Sequence, residues 1–133
     1  IIASHSNPLK FRNSDRHLSD DMIRRLADRD GVMGIVLYNA FLSDAWSRGR
    51  VLPLTIVADA IDHVCQLTGS ARHVGIGSDF DGGFGANETP DGLETAGDLY
   101  LIADVLRERG YAEDDISAIM GANFLRQIEA TLP

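Results

Sequence analysis

The chain has 133 residues, 44% of them hydrophobic and 24% charged, which is typical of one soluble globular domain or of part of one. Its formal net charge of -8 repels phosphate backbones and anionic lipids, so nucleic acid and membrane surfaces are poor partners. No signal-peptide pattern is found and no apolar run approaches the roughly 20 residues of a spanning helix, so we expect a cytoplasmic location.

The first part of the chain alternates apolar runs with a helical pattern. Residues 1–4 form an apolar β-branched run with no turn before it, which predicts a buried strand and a cut edge of a larger fold. A helix is predicted between the capping residue Ser19 and Gly31, and residues 32–38 predict a second buried strand. The apolar stripe of this helix consists of Met22, Ile23, Leu26 and Ala27.

The second part of the chain predicts one more strand and three helices. Pro53 opens a helix that Gly69 ends, and residues 73–77 form the third apolar run. A glycine-rich loop then leads to two helices. The apolar stripe of the first is Leu99, Ile102, Ala103 and Leu106, and that of the second is Ile116, Ile119, Met120, Leu125 and Ile128.

The order of these elements predicts an α/β fold. Continuous apolar strands that alternate with helices are typical of a parallel sheet covered on its faces. Strands that begin near residues 1, 33 and 73 compare with the roughly 31 residues per unit of a (β/α)8 barrel. Three strands alone would leave both sheet edges unpaired, so we expect residues 1–133 to be a single partial domain of something larger. A complete doubly wound domain would need further strands that the sequence does not contain.

Polar residues follow each predicted strand, at the sheet edge where parallel α/β folds build their sites. His5 follows the first strand, Tyr38 closes the second and Asp79 continues the third. Asp79 is a candidate for proton transfer or metal binding, whereas Asp81 before two glycines is expected to hydrogen-bond its own backbone in a turn. His5 is a candidate metal ligand that neighbouring serines orient, although one His and one Asp do not complete a zinc site.

The polar loop that leaves the same edge carries two arginines. Arg12 and Arg16 are either surface charges or, because the loop leaves the mouth of the predicted site, a clamp for a substrate carboxylate. The sequence assigns no role to His17 beside them, whereas His63 and His73 are expected to have structural or solvated roles. The stretch Asp79 to Gly82 also allows a haloacid-dehalogenase-like phosphatase that would use Asp79 and Asp81.

Five stretches together resemble one family, the zinc-dependent membrane (renal) dipeptidases of peptidase family M19. They are "IIASHSN", "RHLSDD", "GVMGIVLYNAFLS", "HVGIGSDFDG" and "GANFLR", and they occur in order over essentially the whole chain. The resemblance implies that the chain is the C-terminal part of a (β/α)8 barrel, with about three βα units and a closing helix. It also implies hydrolysis of dipeptides by a water bound to zinc.

The resemblance also implies a role for four side chains. His5 would be one ligand of a two-zinc site, Arg16 would bind the carboxylate of the dipeptide, Asp79 would be the acid/base and Tyr38 a pocket wall. His17 replaces the usual Asn. The other zinc ligands of the family would lie upstream of the first residue, so we expect the isolated chain to be inactive and to associate with a missing N-terminal part or as a homo-oligomer. The non-enzymatic alternative is a partial barrel that associates with itself and binds no zinc.

Overall fold

The computed structural model describes residues 1–132 and contains a three-stranded parallel sheet. The strands lie in the order β1-β2-β3, and they are β1 (Ile2–Ala3), β2 (Val32–Val36) and β3 (Val74–Ser78). Helices connect consecutive strands, as parallel pairing requires. The predicted α/β class and the parallel sheet are confirmed, with two of the strands shorter than the apolar runs that predicted them.

Six α-helices accompany the sheet in the described residues. They are α1 (Asp20–Ala27), α2 (Asn39–Leu42), α3 (Thr55–Thr68), α4 (Tyr100–Glu108), α5 (Glu113–Ser117) and α6 (Asn123–Glu129). The Ser19 hydroxyl accepts a hydrogen bond from the backbone N–H of Met22, and Gly69 ends α3 at a φ of 70°, so both predicted boundaries are confirmed. The single turn of α2 was not predicted. No helix among residues 1–132 is both long and apolar enough to cross a membrane.

The last predicted helix is not continuous. A π-helical segment, Ala118–Ala122, separates α5 from α6 and contains the kink at Gly121. The buried side chain of Asn123 donates hydrogen bonds of 2.8 Å to the carbonyls of Ala71 and Val74, which attaches α6 to the start of β3. Leu125 and Ile128 of α6 are exposed, so the buried apolar stripe of α5 does not continue beyond this kink.

The core lies between β2 and the helices that pack against it. All five residues of β2 are buried, and the apolar stripe of α3 covers one face of the sheet. Three predicted stripe residues are exposed instead, which corrects the prediction of burial: Met22 at 49%, Leu125 at 54% and Ile128 at 46%. Met22 lines an apolar groove beside the outer edge of β1, together with Ile1, Ile2, Ala3, Leu18 and Leu26.

Candidate functional site

A polar and aromatic cavity opens at the carboxyl ends of β2 and β3. Its volume is about 360 Å³, and its lining consists of Arg16, Tyr38, Phe41, Asp79, Gly82, Gly83 and Phe84. The sheet therefore brings together three of the four predicted site residues. His5, the fourth, follows β1 at the same edge of the sheet but does not line this cavity.

Asp79 lies on strained backbone at the end of β3. Its φ is 65° and that of Ser78 is 28°, values that side-chain-bearing residues seldom adopt. The register between β2 and β3 shifts at the same place, where Val36 pairs with Ser78. The bulge and the strain turn the Asp79 carboxylate into the cavity, and no side chain or N–H group among residues 1–132 donates a hydrogen bond to it. The carboxylate is therefore free to contact a ligand in the cavity.

Gly82 is the residue that gives the Asp79 carboxylate its space. A Cβ atom at position 82 would lie 2.7 Å from Oδ1 and 2.8 Å from Cγ and from the carbonyl oxygen of Asp79. The turn is closed by the backbone N–H of Gly82, which donates to that carbonyl at 2.8 Å. Asp81 is exposed, and its carboxylate makes no hydrogen bond within residues 1–132, so the predicted bond to its own backbone is wrong.

The Arg16 guanidinium has no acidic partner within the described chain. It lies 5.1 Å from the ring centroid of Phe41, a cation–π contact that leaves its N–H groups available. The backbone carbonyl of Arg16 accepts a hydrogen bond of 2.8 Å from the Ser6 hydroxyl, which fixes the loop at this residue. Arg12 instead pairs with Asp44 at 3.5 Å. Of the two candidate arginines, only Arg16 is therefore free to bind an anion in the cavity.

His17 supports the loop beneath Arg16. The side chain is only 5% exposed, and its Nδ1 atom donates to the carbonyl of Arg12 at 2.8 Å. Nε2 is buried and has no partner among residues 1–132. Burial lowers the pKa of this imidazole, so the ring is neutral near pH 7. The His17 and Phe41 rings meet edge-to-face at a centroid distance of 5.4 Å. The Arg16 guanidinium contacts the same Phe41 ring.

Three aromatic rings form one wall of the cavity. Tyr38 stacks on Phe84 at a centroid distance of 4.6 Å and an interplanar angle of 15°, and it meets Phe41 edge-to-face at 5.0 Å. Tyr38 was predicted from the sequence, whereas Phe41 and Phe84 were not. Phe41 follows Tyr38 by three residues on one helical turn, a spacing that would have indicated a shared face. Phe84 has no comparable local signal.

His5 is exposed at the end of β1, and its Nδ1 atom lies 2.7 Å from the Ser4 hydroxyl. This contact leaves Nε2 as the nitrogen available to a metal ion, as the predicted role of Ser4 requires. Ser6, the other expected orienting residue, bonds to Arg16 instead. Residues 1–132 contain no group of three His, Cys, Asp or Glu side chains that could hold a metal ion. The described residues therefore do not complete a metal site.

The Ser4 carbonyl, one residue before His5, fits between two glycines of the sheet. A Cβ atom on Gly34 of β2 would lie 2.2 Å from the carbonyl oxygen, and one on Gly77 of β3 would lie 2.5 Å from it. The N–H of Ser6, the residue after His5, donates to the Gly34 carbonyl at 2.8 Å. These contacts fix the backbone on either side of His5.

The remaining histidines have structural partners, as predicted. Nε2 of His63 lies 2.8 Å from Oδ1 of Asp20, and Nδ1 of His73 lies 3.0 Å from the carbonyl of Gly31. A larger cavity, of about 950 Å³, lies near the start of β3, at the opposite end of the sheet. Its Arg109 forms ion pairs with Asp59 and Asp62, so this arginine is already paired with carboxylates of the protein.

Comparison with known proteins places the chain in one family. Residues 1–132 match the family model described as membrane dipeptidase (peptidase family M19). A dipeptidase of Aspergillus oryzae, aclJ, is 35% identical over 126 residues, which are 95% of this chain and 28% of the relative. An uncharacterised dipeptidase of Schizosaccharomyces pombe is 33% identical over 128 residues, which are 96% of this chain and 30% of the relative.

Solved structures show the same relationship. A metallopeptidase from Rhodobacter sphaeroides, liganded with a phosphinate mimic of the dipeptide L-Ala-D-Ala, has a TM-score of 0.86 and 27% identity over 98% of this chain and 36% of its own. Dipeptidase AC, described as a metallopeptidase of family M19, has a TM-score of 0.84 and 27% identity over 96% of this chain and 36% of its own.

The chain therefore spans only part of the length of the relatives it matches, between 28% and 36% in these four comparisons. The family match favours the dipeptidase hypothesis over the phosphatase hypothesis for Asp79 and Asp81. On the match over residues 1–132, the chain belongs to the membrane dipeptidase family, peptidase family M19.

Proposed function

We propose that this chain is the part of a zinc-dependent dipeptidase that binds the carboxylate of a dipeptide and supplies the acid/base for hydrolysis. The observation that carries the proposal is that Arg16, which has no acidic partner in residues 1–132, and the strained Asp79 line one small cavity. Membership of the dipeptidase family and the dipeptide mimic bound by the Rhodobacter sphaeroides relative support it.

The two charged side chains would divide the work between them. Arg16 would bind the terminal carboxylate through two parallel N–H···O bonds and so fix the position of the peptide. Asp79 would accept a proton from the attacking water and deliver it to the leaving amine nitrogen. Tyr38 would form a wall of the substrate pocket. Because Arg16 would hold the free carboxylate at a fixed position, the scissile bond would have to lie close to the carboxy terminus, so this arrangement would favour short substrates with a free carboxyl end.

The metal would be held only in part by this chain. His5 would contribute Nε2 to one of two zinc ions, and the other ligands would come from residues outside this chain. Zinc, when bound, polarises a carbonyl and lowers the pKa of water. Every other group named here, Arg16, Asp79 and Tyr38, belongs to the described residues.

We also propose that residues 1–133 are one partial domain, the C-terminal part of a (β/α)8 barrel. β1 and β3 are both edge strands of the described sheet. Apolar residues are exposed on the flanks, Ile1 and Met22 beside β1 and Leu125 on α6. Further strands and helices of the longer protein would cover these surfaces. We therefore expect the 133 residues alone to be inactive and to associate, either with the remainder of the protein or with another copy.

The test is made on the complete gene product, with zinc measured by mass spectrometry and dipeptide hydrolysis followed by amine release. Arg16→Met should raise KM about 10- to 100-fold, because a charge-assisted pair is lost. Asp79→Asn should lower kcat about 10²- to 10⁴-fold. Arg24→Met removes an exposed arginine of α1 and should change neither constant.

Two results would contradict the proposal. One is a zinc-loaded protein that hydrolyses no dipeptide, and the other is an Arg16→Met variant with the KM of the Arg24→Met control. Zinc-dependent hydrolysis by the isolated 133 residues would contradict the expectation that the chain is inactive alone. Elution of the isolated chain as a monomer in size-exclusion chromatography would contradict self-association.

A further inference from the structure

We propose that Phe84 is a specificity-determining residue, and that the aromatic wall of Tyr38, Phe41 and Phe84 selects dipeptides whose carboxy-terminal residue has an apolar side chain. This inference rests on the proposed function, because it takes Arg16 as the group that binds the terminal carboxylate. It goes beyond that function by naming which dipeptides the site prefers.

The wall begins directly beneath the carboxylate-binding group. The Arg16 guanidinium lies 5.1 Å from the centroid of Phe41, Phe41 meets Tyr38 at 5.0 Å, and Tyr38 stacks on Phe84 at 4.6 Å. The three rings therefore form a continuous apolar surface that leads away from Arg16 along the cavity. A side chain attached to the same carbon as the bound carboxylate extends from that carboxylate and contacts this surface first.

Phe84 is held against the wall by the loop that follows Asp79. Gly83 has a φ of 94°, a left-handed conformation that glycine adopts without strain, and it reverses the chain immediately before Phe84. The rings of Phe84 and Tyr38 are nearly parallel, with an interplanar angle of 15°. Phe84 thus faces the cavity from the loop, whereas the other two rings come from α2 and the residue before it.

The charges around the cavity disfavour ionised side chains. Arg16 and Asp79 are the charged residues in the lining. With Arg16 occupied by the terminal carboxylate, an acidic side chain would face the Asp79 carboxylate and be repelled. A basic side chain would pair with Asp79 and occupy the group that has to transfer the proton. An apolar side chain avoids both effects and removes its surface, and that of the rings, from water.

The experiment compares kcat/KM of the complete gene product for Gly-Leu, Gly-Phe, Gly-Asp and Gly-Lys. We expect Gly-Leu and Gly-Phe to exceed the two charged dipeptides by about tenfold or more. Phe84→Ala should lower kcat/KM for the apolar pair about three- to tenfold and leave the charged pair unchanged. Phe84→Tyr keeps the stack and should keep the preference. Tyr100→Ala removes an exposed aromatic ring of α4 and serves as the control.

A binding measurement separates this inference from the proposed function. Titration calorimetry on the Asp79→Asn variant reports affinity for each dipeptide without turnover. Because this variant lacks the Asp79 charge, the calorimetry compares neutral dipeptides, and tighter binding of Gly-Leu than of Gly-Gly supports the inference even if no dipeptide is hydrolysed, in which case only the proposed function fails. Equal affinity for Gly-Leu and Gly-Gly, together with equal kcat/KM for apolar and charged dipeptides, overturns it. An equal loss of kcat/KM for all four dipeptides also overturns the inference, provided that the Phe84→Ala protein has the melting temperature of the Tyr100→Ala control.

Discussion

Replacing Gly82 with alanine tests whether catalysis depends on the position of the Asp79 carboxylate. The new Cβ atom would lie 2.7 Å from Oδ1 of Asp79, whereas ordinary contacts begin at 3.4 Å. The carboxylate must therefore move by about 0.7 Å or rotate. The backbone of Asp79 cannot move in its place, because the Gly82 N–H holds the Asp79 carbonyl at 2.8 Å. Gly82 has no positive φ, so alanine adds no backbone strain of its own.

The expected loss follows from this displacement. A misplacement of about 1 Å in a reacting group lowers the rate by about 10²-fold, so kcat for a dipeptide should fall about 10- to 100-fold. KM should change little because the three atoms nearest the added Cβ all belong to Asp79, whereas Arg16 would bind the carboxylate. The free energy of unfolding should fall by about 1 to 3 kcal/mol, because the added Cβ atom would also lie 2.8 Å from the Asp79 carbonyl oxygen, a backbone atom that the turn holds.

Steady-state kinetics of the complete gene product give kcat and KM, and urea unfolding gives the stability. Gly97→Ala is the matched control, because the only close neighbour of its added Cβ atom would be the rotatable hydroxyl of Thr95 at 3.3 Å. If Gly82→Ala keeps kcat within about twofold of the control, the position of the Asp79 carboxylate does not limit catalysis and the acid/base assignment fails.

Three further outcomes are expected. Asn7→Ala should lower the unfolding free energy by about 3 kcal/mol in urea titration, because this buried amide bonds to both backbone groups of Val36 and to the carbonyl of Phe41. Burial lowers the pKa of His17, so protonation of this imidazole favours the unfolded chain. The free energy of unfolding should therefore decrease as the pH falls below about 6.5. His17→Gln should make that decrease smaller when unfolding curves at pH 8 and pH 5 are compared. Burial raises the pKa of the Cys65 thiol to about 11, so alkylation by iodoacetamide at pH 7.5, followed by mass spectrometry, should be about 100-fold slower than after denaturation. Equal rates in the folded and denatured protein would contradict the burial of Cys65.

Local signals in the sequence predicted the elements whose boundaries depend on short-range chemistry. Ser19 and Gly69 mark the ends of α1 and α3 because a side-chain cap and a left-handed glycine act within a few residues. The parallel sheet followed from apolar runs separated by helical patterns. The exposure of Leu125 could not be predicted, because periodicity identifies an apolar face but does not say which element covers it. The break near Gly121 depends on the attachment of Asn123 to β3, a contact across about fifty residues.

The candidate site was predicted in part for the same reason. The convergence of parallel-strand ends and of the loops that leave them identified Asp79 and either Arg12 or Arg16, and the family resemblance selected Arg16. The positive φ of Asp79 was not foreseen, since an aspartate after a strand carries no sign of the bulge that strains it. Phe84 was missed because its role arises from a stack on Tyr38, more than forty residues earlier in the chain. Pairings of that kind become visible only when the loops are placed in space.

The narrow slot that receives the Ser4 carbonyl has a consequence for how this sequence can change. Gly34 and Gly77 carry no functional group and lie far apart in the chain, yet both leave the space that this one oxygen atom fills. An added methyl at either position displaces the oxygen, and no substitution at the other can compensate, because that residue already has the smallest side chain. In a scan of all single variants, positions 34 and 77 would therefore tolerate almost no substitution.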